Sequence, residues 1–209
     1  MKLLLVRHGQ TEGNVRGALD TALPGPPLTE LGREQARDLA TRLDGEPIVA
    51  VYASQAIRAQ QTAAPLAAKL GFDVQVLDGV HEVAAGELEG KTDKDSVTTY
   101  MSVVRRWTLG ELDPPIPGGE TGTQVRARFL DAVARLRAKH EQADPDGTVV
   151  LVSHGGAIRL GGEWLAGNVT AEIANQGLIP NTGVVELAGT DGGWTCLTWA
   201  DTPVDADGG

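Results

Sequence analysis

Residues 148–156 read TVVLVSHGG, a strand-like run followed at once by polar and glycine residues. An unbroken apolar run of this kind is typical of a strand that is covered on both faces, as in a parallel sheet. A second such run, LLLV at residues 3–6, leads directly into RHGQT at residues 7–11. Because parallel strands end at one edge of their sheet, where open α/β folds bind ligands, we expect the two polar segments to meet there.

Strand-like and helix-like segments alternate along the rest of the chain. Further strand-like runs lie at residues 48–52, 74–76, 183–187 and 194–199, and helix-like runs at 30–43, 55–70, 97–107, 123–142 and 157–165. This order predicts an α/β fold, a three-layer α/β/α sandwich with a mainly parallel central sheet.

Length and composition fit one domain. The chain has 209 residues, of which 41% are hydrophobic and 22% are charged, and no repeat or linker-like stretch divides it. We expect residues 1–200 to form a single domain. Residues 201–209 contain three aspartates and no basic residue, so we expect them to form a flexible acidic tail.

The net charge argues against two classes of partner. The 18 Lys and Arg residues against 28 Asp and Glu residues give a formal charge of −10, which predicts no binding to nucleic acid or to an anionic membrane. The apolar run at the start is too short for a signal peptide or a membrane span, and the single cysteine, Cys196, fits a reducing compartment. We expect a cytoplasmic protein, either a monomer or a homodimer.

Two histidines and two arginines converge on the expected edge of the sheet. Arg7 and His8 follow the first strand, Arg58 follows the second, and His154 follows the strand in the opening segment. Singly, such residues are more often structural histidines or surface charges, but their joint placement favours a site. Arginine and histidine without a nearby cysteine or carboxylate cluster suit an anion and not a metal. We therefore expect an anion site that uses no metal and no cofactor.

The same residues lie in motifs that resemble those of the histidine phosphatase superfamily, the phosphoglycerate mutase-like enzymes. Six pieces occur in order over residues 2–160, namely RHGxTxxN from Arg7, LTxxGxxQA from Leu28, SxxxRAxxTA from Ser54, ExxxGxxEG from Glu82, GGET from Gly118 and SHGG from Ser153. One piece alone would be weak, but six in one order are difficult to explain by chance. The resemblance implies a phosphoglycerate mutase-like fold and phosphoryl transfer through a phosphohistidine.

The resemblance also implies roles for single residues. It makes His8 the nucleophile, with Arg7, Arg58 and His154 around the phosphoryl group to stabilise its charge. Glu82 is then the general acid that protonates the leaving oxygen.

Four further positions of these motifs are expected to bind the substrate. Asn14 adds a neutral donor to a phosphate oxygen, and Thr11 belongs to the same motif. Gly9 and Gly155 are expected to let the backbone approach the anion closely.

Arg105 and Arg106 are open to two interpretations. They precede the proline-rich loop at residues 113–119, and they form either the solvated face of a helix or a cationic lid that binds a second anionic group of the substrate. The mutase branch of the family uses an arginine pair in a comparable segment.

Three more basic residues have expected places. Arg159 either supports the site from behind or packs on its own helix. His81 is adjacent to Glu82, but it is expected to be structural because neighbouring residues of an extended segment point apart. His140 is expected on the surface.

The leading hypothesis is a metal-independent phosphomonoester hydrolase that acts through a phosphohistidine on a small-molecule substrate. The alternatives are a cofactor-dependent phosphoglycerate mutase and a non-catalytic protein that binds phosphate ligands. The mutase branch has basic and aromatic residues after its acid, whereas residues 83–85 are apolar here, which favours the hydrolase. With Leu88 and Gly13, these residues are expected to leave an apolar, roomy wall beside the leaving group. Competent residues at all five catalytic positions argue against a binding protein.

Overall fold

The computed structural model describes residues 1–205. Their strands are β1 (Lys2–Arg7), β2 (Ile48–Ala53), β3 (Gln75–Val76), β4 (Thr148–Ser153), β5 (Val184–Thr190), β6 (Gly193–Trp199) and β7 (Thr202–Pro203). They form one sheet in the order β3-β2-β4-β1-β5-β6-β7. The four strands from β3 to β1 are parallel, whereas β5, β6 and β7 are each antiparallel to their neighbour.

Helices cover both faces of this sheet. They are α1 (Glu12–Arg16), α2 (Glu30–Arg42), α3 (Ile57–Leu70), α4 (Lys94–Thr108), α5 (Gly122–His140), α6 (Gly155–Leu165) and α7 (Ala171–Asn175). The helices from α2 to α6 correspond to the predicted helical runs, whereas α1 and α7, of five residues each, are too short to show a periodic apolar stripe. No helix in residues 1–205 combines the length and the apolar character needed to cross a membrane.

The apolar run of β1 is unbroken because both faces of the strand are buried. Leu3 and Leu5 belong to the core cluster that includes residues of α5, α6 and α7. Leu4 and Val6 point to the other face and belong to the cluster with α2 and α3. The predicted three-layer α/β/α sandwich is therefore confirmed, with the parallel arrangement confined to the central strands and one edge.

A third core cluster packs α4 over the carboxyl end of the sheet. Tyr100 and Trp107 of α4 pack in one cluster with Val83, which precedes α4 in the chain, and with Ile116, which follows it. Tyr100 Oη donates to Val83 O at 3.0 Å, and Trp107 Nε1 donates to Pro114 O at 2.8 Å. These contacts hold α4 as a wall beside the site described below.

The predicted boundary of the acidic tail is wrong. Residues 202–203 pair with β6 as β7, and the Val204 N–H donates to Leu197 O at 3.0 Å. Backbone hydrogen bonds therefore attach the chain to the sheet as far as Val204, and the Asn168 side chain holds the next residue, because its Nδ2 donates to Asp205 O at 3.1 Å. Residues 206–209 of the expected tail lie outside the described residues.

The expected surface position of His140 is also wrong. The side chain is buried at the end of α5, and its Nε2 lies 2.9 Å from Tyr52 Oη. Lys139 Nζ donates to the same hydroxyl at 2.9 Å. The last turn of α5 therefore faces the sheet. The charged residues around His140 in the sequence had suggested a solvent-exposed turn.

The packing of α5 against α6 depends on a glycine. A Cβ added to Gly161 of α6 would overlap the ring of Phe129 in α5, which is fully buried. We expect Gly161→Ala to lower the free energy of unfolding by about 1–3 kcal/mol, because overpacking outweighs the ~1 kcal/mol gain in helix propensity. Urea denaturation measures this change.

Gly167→Ala is the matched control, since a Cβ there meets no atom within 4 Å. It should change the free energy of unfolding by less than about 0.5 kcal/mol. Equal stability of the two variants would contradict the proposed tight contact.

Candidate active site

The carboxyl ends of β1, β2 and β4 lie side by side. In the register of the β1–β4 pair Arg7 stands opposite Ser153, and the His8 N–H donates to Ser153 O at 3.0 Å. The Ser54 N–H donates to Val152 O at 2.9 Å. The residues that follow these three strands therefore meet at one edge of the sheet.

A cavity of about 300 Å³ opens at this edge. Its polar lining includes the side chains of Arg7, His8, Asn14, Glu82 and Arg159. Its apolar wall comes mainly from α4, through Val97, Tyr100, Met101 and Val104. Arg58 and His154 do not line the cavity and are 1% and 0% exposed.

His8 presents a neutral imidazole to the cavity. Its Nδ1 lies 2.7 Å from Gly9 O, and because a carbonyl only accepts, Nδ1 carries the proton and Nε2 keeps its lone pair. Burial, followed by the charge of Arg58, lowers the pKa of His8 to about 3. The ring is therefore uncharged at neutral pH, and Nε2 is chemically competent as a nucleophile.

His154 is a hydrogen-bond acceptor for Arg58. The rings of His154 and His8 lie edge to face, with their centroids 5.2 Å apart. Arg58 Nη2 lies 3.2 Å from His154 Nδ1, and Ser54 Oγ lies 2.7 Å from Nε2. Because a guanidinium only donates, Nδ1 must hold the lone pair, and the proton on Nε2 is donated to Ser54. Burial is the leading cause that lowers the pKa of His154, followed by the proximity of a second imidazole, His8, and by the charge of Arg58, and the ring stays neutral.

Two buried guanidinium donors have no acceptor among the residues that the structure describes. Arg7 Nη1 donates to Ile179 O at 2.5 Å, but Arg7 Nε has no acceptor within the described residues. Arg58 Nη2 also donates to Asp20 O at 3.3 Å, and Arg58 Nη1 likewise has no acceptor among residues 1–205. A buried donor without an acceptor is costly, so the chemistry of these two groups suits an anion.

Thr11 acts on the site only through Asn14. The Thr11 hydroxyl caps α1 and accepts the Asn14 N–H at 3.3 Å, while Asn14 Oδ1 accepts the Thr11 N–H at 3.1 Å. Asn181 Nδ2 donates to the same Oδ1 at 3.2 Å. With its oxygen occupied, Asn14 is left with its amide nitrogen as a donor at the cavity, as its predicted binding role requires. Thr11 is buried and does not line the cavity.

The two predicted glycines are needed for packing. A Cβ at Gly9 would lie 2.6 Å from Gly32 O, so Gly9 allows the loop after β1 to pack on α2. A Cβ at Gly155 would lie 3.3 Å from Arg7 Nε, so Gly155 makes room for that guanidinium. Gly155 lines the cavity whereas Gly9 does not.

Glu82 is held at the beginning of α6. Its Oε1 accepts the N–H groups of Val83 at 2.9 Å and Ala157 at 2.8 Å, and its Oε2 accepts the Gly156 N–H at 3.1 Å. The N-cap residue of α6, His154, makes no side-chain cap, so the Glu82 carboxyl satisfies helix donors that would otherwise lack a partner. Its position beside the cavity is thereby fixed.

Arg128, which no motif includes, holds the segment that carries Glu82. Arg128 Nη1 donates to Gly79 O at 2.9 Å and to His81 O at 2.8 Å, and Nη2 donates to Glu82 O at 3.1 Å. Its Nε pairs with Glu120 Oε1 at 2.7 Å. The three carbonyl partners lie 46 to 49 residues before Arg128 in the chain, so no local signal could have identified them.

Residues 179–181 also contribute to the site without a motif. Asn181 Nδ2 donates to His8 O at 2.9 Å in addition to its bond with Asn14, and the Ile179 carbonyl orients Arg7. Neither residue has an ionisable side chain or a recognisable spacing, so the sequence pattern does not mark them.

The structure does not bring Arg105 and Arg106 to the cavity. Both are exposed on α4, and Arg106 pairs with Glu111 at 2.8 Å. The face of α4 that lines the cavity carries apolar residues instead. The predicted substrate-binding role of this pair is therefore not retained.

Other expected wall residues are also absent from the lining. Residues 83–85, Leu88 and Gly13 do not line the cavity, and α4 supplies the apolar wall that we expected from them. His81 does not line the cavity either. Burial, followed by the charge of Arg128, lowers the pKa of His81.

A metal site is not found in the described part of the chain. Among residues 1–205, no three His, Cys, Asp or Glu side chains are grouped so as to hold a metal ion.

Comparisons with known proteins agree with one another. A model of the histidine phosphatase superfamily (branch 1) matches residues 3–202. The PE-PGRS family protein PE_PGRS11 of Mycobacterium tuberculosis is 38% identical over 95% of this chain, which spans only 36% of that protein's length. The metal-independent phosphoserine phosphatase of Arabidopsis thaliana is 30% identical over 96% of this chain and 81% of its own. The structure of a mycobacterial glucosyl-3-phosphoglycerate phosphatase with VO3 superposes with a TM-score of 0.79, at 31% identity, over 95% of this chain and 98% of its own.

The low pKa of His8 makes stability depend on pH. The unfolded chain protonates this residue near pH 6.5 and the folded chain only near pH 3, so the unfolded state binds more protons in between and stability falls as the pH drops below 6.5. One proton corresponds to about 1.4 kcal/mol per pH unit. We expect His8→Asn to flatten the slope of unfolding free energy against pH by about that amount between about pH 6 and pH 4.5.

Urea titrations at a series of pH values measure this slope. Arg105→Gln, a change on the exposed face of α4, should keep the slope of the wild type. A slope that His8→Asn leaves unchanged would show that His8 is not a buried neutral imidazole.

Proposed function

Because the chain belongs to the histidine phosphatase superfamily, we propose that it is a metal-independent phosphomonoester hydrolase that works through a phosphohistidine on His8. The observation that carries the proposal is the His8 ring, whose Nδ1–H is held by Gly9 O at 2.7 Å and whose Nε2 keeps its lone pair beside the cavity. The phosphatases named among the similar proteins support the same choice.

In the first step His8 Nε2 attacks phosphorus, and the bond between phosphorus and the ester oxygen breaks. The leaving oxygen takes a proton from the Glu82 carboxyl, which lines the same cavity. Arg7 and Asn14 donate to the phosphoryl oxygens and stabilise the charge that develops on them.

In the second step water attacks the phosphohistidine. Glu82, now a carboxylate, accepts a proton from the water, the bond between phosphorus and Nε2 breaks, and inorganic phosphate leaves. His8 regains its lone pair. Arg58 lies behind the cavity lining and supports both steps with its positive charge, and His154 and Ser54 position it through the hydrogen bonds described above.

The two alternatives from the sequence are less well supported. The mutase hypothesis rested on Arg105 and Arg106 as a second cationic clamp, and both lie outside the cavity lining. A phosphate-binding protein needs neither a free His8 Nε2 nor a carboxyl group such as Glu82 beside it.

The remaining predictions belong to the same proposal. The partner is a small-molecule phosphomonoester, the protein is a monomer or a homodimer, and the single domain expected over residues 1–200 extends through β7. A cytoplasmic location is supported by Cys196, the single cysteine, which is a buried free thiol.

Hydrolysis of p-nitrophenyl phosphate in excess chelator tests the proposal. We expect release of inorganic phosphate at a rate that the chelator does not change, and His8→Ala should reduce it by at least about a thousandfold because no other group forms the phosphoenzyme. His81→Gln, a change outside the cavity lining, should retain activity.

Two results would contradict this function. One is loss of activity on chelation with recovery on adding a divalent cation. The other is conversion of 3-phosphoglycerate to 2-phosphoglycerate, in the presence of 2,3-bisphosphoglycerate, with little release of phosphate.

The acid role of Glu82 has its own test. We expect Glu82→Gln to slow hydrolysis of an alkyl phosphate, glycerol 3-phosphate, by about 10²–10⁴-fold because its leaving oxygen needs the proton. The loss on p-nitrophenyl phosphate should be much smaller, because nitrophenolate leaves without one. Equal losses on both substrates would assign Glu82 to binding or to the capping of α6.

A further inference from the structure

Arg159 is a buried cation of the cavity wall that neither step of hydrolysis uses. It is 5% exposed, its Nε donates to Ala174 O at 2.7 Å, and its Nη2 donates to Asn175 Oδ1 at 3.0 Å. Asn175 is held in turn, since its Nδ2 donates to Thr108 Oγ1 at 2.7 Å and to Ala171 O at 2.6 Å. The guanidinium is thus fixed before a substrate binds, which reduces the entropy that binding would cost.

The third nitrogen of this guanidinium remains available. Arg159 Nη1 makes no hydrogen bond within residues 1–205, and unlike Arg7 Nε and Arg58 Nη1 it is not sealed off by protein atoms. Since Arg159 lines the cavity, we take this donor to face the space that a substrate would occupy.

The charge of Arg159 is not neutralised by an ion pair. No carboxylate of the described residues lies within ion-pair distance of it. The charges of Glu82 and, more weakly, of Glu163 act on Arg159 from a distance. Burial raises the pKa of Glu163 to about 7 against the opposing effect of Arg159. Glu163 Oε2 makes no hydrogen bond to any group of residues 1–205. A buried cation without a paired carboxylate is unfavourable unless a ligand supplies the anion.

The position of Arg159 relative to the phosphoryl site is set by α6. Arg159 lies four residues after Gly155, so the two share one face of the helix, about 6 Å apart along its axis. Helical side chains lean toward the N-terminus, so Arg159 covers the turn in which Gly155 and Gly156 line the cavity. The atoms of a leaving group that follow the ester oxygen would lie beside this turn.

We propose that Arg159 determines specificity by binding a carboxylate on the leaving group, so that the protein prefers phosphomonoesters that carry a carboxylate close to the ester oxygen. The inference rests on the proposed hydrolase function, because it extends the same cavity beyond the phosphoryl group. Asp20 also lines the cavity. Its carboxylate would repel a carboxylate of the substrate that lies near it, so the substrate carboxylate is expected to bind at Arg159. Arg159 thereby takes the role that the sequence pattern offered for Arg105 and Arg106.

A matched pair of substrates tests the inference. 3-Phosphoglycerate and glycerol 3-phosphate are both primary phosphate esters on three carbons, and they differ in a carboxylate against a hydroxymethyl group. We expect the wild type to favour 3-phosphoglycerate in kcat/KM by at least about tenfold, the effect of a hydrogen bond to a charged group. Arg159→Gln should lower this ratio by about ten- to a hundredfold, and Arg159→Lys should lower it less because the charge remains.

Arg105→Gln is the control and should keep the ratio of the wild type. A wild-type ratio near one, or an equal loss on both substrates in Arg159→Gln, would overturn the inference. A ratio that falls in Arg105→Gln and not in Arg159→Gln would return the role to α4. Thermal unfolding identifies a variant that does not fold, and in that case Arg159→Lys and the wild-type ratio still decide the matter.

p-Nitrophenyl phosphate separates this inference from the function on which it rests. If the wild type hydrolyses p-nitrophenyl phosphate without preferring 3-phosphoglycerate, only the role of Arg159 is overturned. If it hydrolyses none of the three esters, the hydrolase function is overturned and the role of Arg159 with it.

Discussion

The parallel pairing of β1 with β4 is the constraint on which the site depends. It sets Arg7 opposite Ser153, so that the residues that follow the two strands, His8 and His154, have their rings 5.2 Å apart. A shift of one residue would turn each side chain to the other face, where it would meet the helices of that side and lose its own packing partners, so close packing on both faces determines the register. The apolar core of the sheet therefore positions the polar groups that follow its strands.

Burial and cationic charge act together on the imidazoles of this cavity. Desolvation is the leading cause that lowers the pKa of both His8 and His154, and Arg58 acts in the same direction on each. The result is one ring with a free lone pair and another that accepts a hydrogen bond from a guanidinium. Positive charge at the site thus resides on arginines, which stay protonated when buried, although the chain as a whole carries a formal charge of −10.

Contacts between distant parts of the chain complete the site. Arg128 holds the backbone of the segment that ends at Glu82, and Asn181 holds both the His8 carbonyl and the Asn14 side chain. Arg159 is held by the carbonyl and amide oxygens of α7. Each of these groups stabilises another residue's orientation, so the geometry of the cavity is a property of the packed fold and not of its motifs.

The sequence by itself determined the layered α/β fold and the residues that follow its central strands, because unbroken apolar runs imply strands buried on both faces and parallel strands end at one edge. It did not determine which cation reaches the cavity. Arg105 lies on a helix whose other face lines the cavity, whereas Arg159 lies on the lining itself, and helical periodicity tells which residues share a face but not what that face meets. The same limit applied to His140, whose burial comes from a partner far away in the chain, Tyr52. Only the tertiary structure decided these points, because they depend on which surfaces come together when the chain packs.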